Sequence, residues 1–171
     1  MQGYVQVYTG DGKGKTTAAL GLALRAAGAG LKIFIAQFVK GAEYSELKAL
    51  ARFSDLITLK QYGRGCFIGQ DPGEEDKRLA GVGLTESETA MLSGAYQLII
   101  LDEINIATYY SLFPVSSLLA LISKKPAGVE LVITGRRADP RVVEVADLVT
   151  EMCEIKHYYQ TGVEAREGIE K

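Results

Sequence analysis

The sequence predicts a three-layer α/β fold on a mostly parallel central sheet of about six strands, and three observations lead there. Apolar, β-branched runs alternate with stretches of helical spacing along the chain. Two of those runs, LIIL before Asp102 and ELVIT before Gly135, lack polar alternation, as strands do when both faces of their sheet are covered. Loop signals punctuate the runs, with Gly28 and Gly30 after the first helical stretch and Pro126 and Gly128 before a strand.

In chain order, the first strand is expected at residues 4–8, YVQVY, and the alanine-rich segment 16–29 follows it as a helix. A second strand at 32–39 precedes helical spacing at 45–53, and a third strand is expected at 56–61. The stretch 63–73 reads as a glycine-rich loop leading into a long helix at 73–94. Strands at 97–101, 129–134 and 148–155 then alternate with helices at 114–124 and 140–146. Such alternation implies parallel pairing, and parallel sheets bind ligands beyond the carboxyl ends of their strands. Segments 10–16, 37–41, 63–67, 102–105 and 135–137 lie at those ends and are expected to form one composite site.

With 171 residues the chain has the size of one domain, and residues 1–171 are read as a single unit. The 47% apolar and 23% charged residues match soluble globular proteins. A net charge of -2 lacks the global positive field of a dedicated nucleic-acid binder, so no nucleic-acid partner is expected. No apolar run approaches the roughly 18 to 20 residues that span a bilayer, and the start MQGYVQVYTG lacks the regions of a signal peptide. A cytoplasmic protein without a membrane partner is therefore expected. Two cysteines, Cys66 and Cys153, and one histidine, His157, are too few for a zinc site, a disulfide framework or a Ser/His/Asp triad.

The strand YVQVY runs into TGDGKGKTT and then into a helix, which is the context of a phosphate-binding P-loop. Gly10, Gly12 and Gly14 let the backbone approach phosphate oxygens with its N–H groups, and Asp11 belongs to the same turn. Lys15 would place a point charge on a polyphosphate, and the Thr16 hydroxyl would join a magnesium ion. Lys13 and Thr17 are secondary candidates. The common pattern has a glycine where this chain has Thr9. Asp102 and Glu103, after LIIL, stand where carboxylates at a buried strand end reach magnesium directly or through water. The expected fold is thus P-loop NTPase-like with ATP as the nucleotide. These motifs alone do not give the reaction, and an ATPase releasing ADP and phosphate stays open at this point.

The ordered set GDGKGKTTAALG with Arg25 in the helix after it, QFVKG, LDEIN, VITGRRADPRVVEVADLVTEM and the tail from Lys156, KHYYQTGVEAREGIEK, resembles the P-loop type of ATP:corrinoid adenosyltransferase, also called cob(I)yrinic acid a,c-diamide adenosyltransferase. The resemblance runs nearly end to end, and Thr9 belongs to it. It implies attack by a cobalt(I) corrinoid on the 5′ carbon of ATP, with triphosphate released from a cradle that holds ATP in reversed direction. It also implies magnesium, Arg25, Gly135 and Arg136 at the nucleotide, a homodimer, and a separate flavin-dependent electron donor. Some members carry a phenylalanine and a tryptophan against the corrin. This chain has no tryptophan and places Cys66 and Ile68 at those positions, with Phe67 between, so Phe67 and Ile68 are the candidate corrinoid wall. CFI packing into the core is the alternative. His157 could serve the nucleotide, the neighbouring subunit or a structural hydrogen bond, and Tyr109, Tyr110, Tyr158 and Tyr159 could wall the corrin or pack the domain.

Overall fold

Among the described residues, every pair of neighbouring strands in the central sheet is parallel, so the expected mostly parallel sheet is parallel throughout. The computed structural model describes residues 2–42, 44–64 and 72–170. Six strands, β1 (Val5–Thr9), β2 (Ile33–Phe38), β3 (Ile57–Tyr62), β4 (Leu98–Asp102), β5 (Glu130–Thr134) and β6 (Leu148–Glu151), lie in the order β3-β2-β4-β5-β1-β6. The helices are α1 (Lys15–Gly28), α2 (Ser45–Leu50), α3 (Glu74–Leu92), α4 (Ile104–Tyr109), α5 (Val115–Ser123) and α6 (Pro140–Glu144).

Side chains alternate across each strand, and the uninterrupted apolar runs divide accordingly between two cores. Leu98 and Ile100 of β4 pack with Ile33 and Ile35 of β2 against α1 and Leu50 of α2. Ile99 and Leu101 face the opposite way, with Phe34, Leu131 and Ile133, against α3, α4, α5 and Val142 of α6. Both faces of the sheet are therefore covered, which is why β2 and β4 are buried at every residue. On α1 the buried stripe is Ala19, Ala23, Ala26 and Ala27, at helical spacing. Those small side chains let the helix lie close to the sheet directly behind the loop that precedes it.

Two departures from the sequence expectation bear on the site. The helix α4 is not legible in the sequence, because six residues entered through a left-handed Glu103 are too short to show helical periodicity. The last strand stops at Glu151, short of residue 155, because the next residue leaves the sheet: the Met152 carbonyl turns to accept the Gly12 N–H at 2.6 Å. Among the described residues no helix is long and apolar enough to cross a membrane.

Candidate active site

Backbone strain collects where the strands end. Val39 follows β2 at φ 55°, Glu103 follows β4 at φ 60°, and Arg137 lies just beyond β5 at φ 59°. None is glycine, and each left-handed conformation costs on the order of 1–3 kcal/mol. All three lie at the edge where a parallel sheet presents its ligand site.

The loop between β1 and α1 is tied down on both sides. Gly10 and Gly14 adopt φ 90° and 118°. A Cβ on Gly12 would stand 2.7 Å from the Met152 carbonyl oxygen, so this position accommodates the chain crossing behind it only as glycine. Lys15 is buried, and its Nζ donates to the carbonyls of Gly10 at 2.7 Å and Gly12 at 2.6 Å. Burial lowers its pKa, with Glu103, Asp11 and Asp102 opposing and Arg136 adding to the fall. Thr9, the residue that replaces the usual glycine, closes β1 and accepts the Ala138 N–H at 3.4 Å, joining the loop to the connection after β5. Lys13 turns outward, donating to the Ile169 carbonyl at 3.0 Å, and Asp11 and Thr17 are exposed.

A polar row crosses four adjacent strands at their carboxyl ends. Register places Gln61 opposite Gln37 and Gln37 opposite Asp102. The Gln61 amide donates to Gln37 at 3.1 Å, and Gln37 Nε2 donates to Asp102 Oδ2 at 3.2 Å. From β5, Thr134 Oγ1 donates to Asp102 Oδ1 at 2.7 Å. Thr16 Oγ1 donates to that same oxygen at 2.8 Å, and Lys40 Nζ to Oδ2 at 2.8 Å. The buried Asp102 carboxylate thus receives four donors, which matches its lone-pair capacity. For Lys40, burial favours the neutral amine, but the charge and hydrogen bond of Asp102, with Glu103 and Glu46, outweigh it and raise the pKa.

Glu103 has a different environment. Burial, then the charge of Asp102, push its carboxyl above the usual range, while Lys40, Lys15 and Arg136 pull it back. Beside it, Gly135 leaves room for its Oε2, and the Asn105 amide donates to the Gly135 carbonyl at 3.2 Å. Asn105 Oδ1 is the buried side-chain atom without a partner among the described residues. The oxygen donors Thr16, Asp102 and Glu103 suit magnesium, which takes one or two carboxylates plus phosphate and water oxygens. Among the described residues there is no group of three or more His, Cys, Asp or Glu that could hold a metal ion.

The structure therefore brings together Lys15, Thr16, Asp102, Glu103, Gly135 and Arg136, the last through its charge on Lys15 and Glu103. Arg25 is not brought to the cradle: it sits in the last turn of α1, about 15 Å along the axis from Lys15, near the Tyr8 phenol. Phe67, Ile68 and Cys66 lie outside the described residues. His157 Nδ1 accepts the Tyr159 N–H at 3.0 Å, a local structural bond that engages one of its two ring nitrogens. Exposed Tyr109 stands under the Arg137 guanidinium. Gln37 and Lys40 fall in the segment 37–41 expected at the composite site, but neither they nor Thr134 carries an individual role in the sequence reading. The legible signal for Thr134 was a polar residue closing an apolar strand.

An all-parallel sheet, a lysine-bearing glycine loop ahead of α1, and a threonine hydroxyl bonded to a strand-end aspartate define a P-loop nucleotide-binding protein. Within that class, residues 1–170 match the family described as ATP:corrinoid adenosyltransferase BtuR/CobO/CobP, and the chain belongs to that family. It is similar to the corrinoid adenosyltransferase of Pseudomonas aeruginosa, at 34% identity over 170 residues, covering 99% of this chain and 84% of that protein. A corrinoid adenosyltransferase of Sinorhizobium sp is 33% identical over 172 residues, covering 99% and 80% of the two chains. For the Escherichia coli K12 corrinoid adenosyltransferase the identity is 29% over 169 residues, covering 99% and 86%.

Proposed function

We propose that this protein transfers the 5′-deoxyadenosyl group of ATP to the cobalt(I) centre of a corrinoid, cobalamin or cobyrinic acid a,c-diamide, and releases triphosphate. The observation that carries the reading is family membership over residues 1–170 joined to a cradle built from Lys15 and the Thr16–Asp102 pair. A cobalt(I) electron pair forms the cobalt–carbon bond while the C5′–O bond breaks, and the triphosphate leaves with the electrons of that bond. Such a nucleophile needs no general base. Catalysis then consists of aligning two reactants and stabilising charge on the leaving group.

In this reading the Gly10, Gly12 and Gly14 loop and Lys15 hold the triphosphate, and Lys15 exchanges its bonds to the loop carbonyls for phosphate oxygens. Arg136 adds positive charge from the β5 side. Thr16, Glu103 and Asp102 would hold magnesium, which when bound supplies Lewis-acid charge to the departing phosphates. Lys13, Asp11, Thr17, Gly135 and Arg25 complete the nucleotide set implied by the family, with Arg25 outside the cradle. Phe67 and Ile68 are assigned to the corrinoid. The proposal extends to one domain over residues 1–171, a cytoplasmic homodimer, and electrons from a separate flavin-dependent donor.

Product analysis tests it. Under anaerobic, strongly reducing conditions, ATP with a corrinoid should yield triphosphate and a light-sensitive alkylcobalt product in equal amounts. Formation of ADP and phosphate instead would identify an ATPase, a reading that no feature of the site or the family favours.

A further inference from the structure

The Lys40 side chain is only 16% exposed, and its ammonium lies 2.8 Å from Asp102 Oδ2 and 3.4 Å from Thr16 Oγ1. It bridges two of the three groups that the proposed function assigns to magnesium, Thr16 and Asp102. The placement is built by the fold. Val39, immediately before it, holds φ 55°, and the β3 connection presses so close that a Cβ on Gly63 would stand 2.6 Å from the Lys40 nitrogen. The Tyr44 ring lies 5.5 Å from the ammonium on another side. Asp102 is fully buried, and a buried carboxylate without a cation is strongly destabilising.

A divalent ion at the Thr16 hydroxyl would stand within a few ångströms of this ammonium, and like charges at such separations repel strongly where water is excluded. The negative charge of a triphosphate offsets that repulsion, whereas metal arriving alone has nothing to offset it. We infer that Lys40 is a resident counter-ion that occupies the Thr16–Asp102 edge in place of a metal, and that it makes magnesium binding conditional on ATP. This inference rests on the reading of Thr16 and its neighbouring carboxylates as the magnesium site. Lys40 acts through Asp102 and Thr16 and is a positioning residue. Metal-loaded nucleotide would take the Thr16 hydroxyl from the ammonium, which Asp102 would retain.

The test compares the full chain with Lys40→Met and Lys40→Gln by thermal unfolding and by calorimetric titration, with magnesium alone, ATP alone and both. In the unsubstituted protein, millimolar magnesium alone should leave Tm unchanged, and ATP should bind far more tightly with magnesium than without. Lys40→Met should lower Tm without ligand, yet bind free magnesium roughly 10- to 100-fold more tightly once the repelling charge is gone, so that magnesium alone raises its Tm. Lys40→Gln keeps a neutral donor for Asp102 and should show the same gain even if the methionine variant fails to fold. If the variants lose stability but respond to magnesium like the unsubstituted protein, Lys40 is a structural anchor and the inference falls alone. If ATP binds the unsubstituted protein equally well without magnesium, the metal reading falls and takes this inference with it.

Discussion

Thr134 Oγ1 donates to Asp102 Oδ1 at 2.7 Å and accepts the Glu103 N–H at 3.0 Å, so one buried hydroxyl on β5 fixes both acidic residues at the end of β4. The strand register makes this possible: Leu101 pairs with Ile133, so the next residue of each strand meets the other at the sheet edge. Asp102 then presents Oδ1 to Thr16, and the left-handed turn at Glu103 is anchored from behind.

Thr134→Val keeps the shape but removes both bonds, leaving a buried N–H unpaired and Asp102 short of one donor. Stability should fall by about 1–3 kcal/mol, measured by denaturant unfolding, and Thr134→Ser should restore most of it. A loss confined to activity, with unchanged unfolding, would show that the hydroxyl does not brace the fold.

Lys15→Ala should weaken ATP binding by roughly 10- to 150-fold, the worth of one charge-assisted contact, read by equilibrium titration. The same change frees the Gly10 and Gly12 carbonyls, which Lys15 holds at 2.7 and 2.6 Å, so the empty loop should also become more protease-sensitive.

The strands, the P-loop and the acidic pair could be read from local sequence because burial on both faces and phosphate binding each impose local patterns. The roles of Lys40 and Thr134 could not, even though segment 37–41 is expected at the site, since each role comes from Asp102, 62 and 32 residues away. Gln37 is similar: inside IFIAQF it is one polar residue in a buried strand, and only the β2–β4 register puts it opposite Asp102. Thr9 marks the boundary between the two kinds of information. Its departure from the usual glycine was visible, but its contact to Ala138 depends on the sheet bringing the connection after β5 beside β1.

Burial pushes the Glu103 carboxyl above its ordinary range, with the Asp102 charge adding to the shift. A raised folded-state pKa means that the native protein holds a proton the unfolded chain has released. The associated stability is present below the ordinary carboxylate range and is lost as pH rises through the raised value. Without metal, the unsubstituted protein should therefore lose Tm across that window relative to Glu103→Gln, which stays neutral. With ATP and magnesium the variant should turn over roughly 10- to 100-fold more slowly. Parallel Tm–pH profiles for the two proteins would remove the buried charge from the account.

Gly63→Ala tests the support of Lys40 without touching its charge. The added Cβ would stand 2.6 Å from the Lys40 nitrogen and 2.7 Å from the Val39 carbonyl carbon, both backbone atoms that yield only if the strained turn shifts. A cost of about 1–3 kcal/mol is expected from such overpacking. Part of that cost should be loss of the Lys40–Asp102 contact, because moving the turn carries the ammonium away from Oδ2. Combined with Lys40→Met, the two changes should then destabilise by less than their sum, a coupling of at least about 0.5 kcal/mol in unfolding. Strict additivity would show that Gly63 and Lys40 act independently, and that the close approach of the two connections serves packing alone.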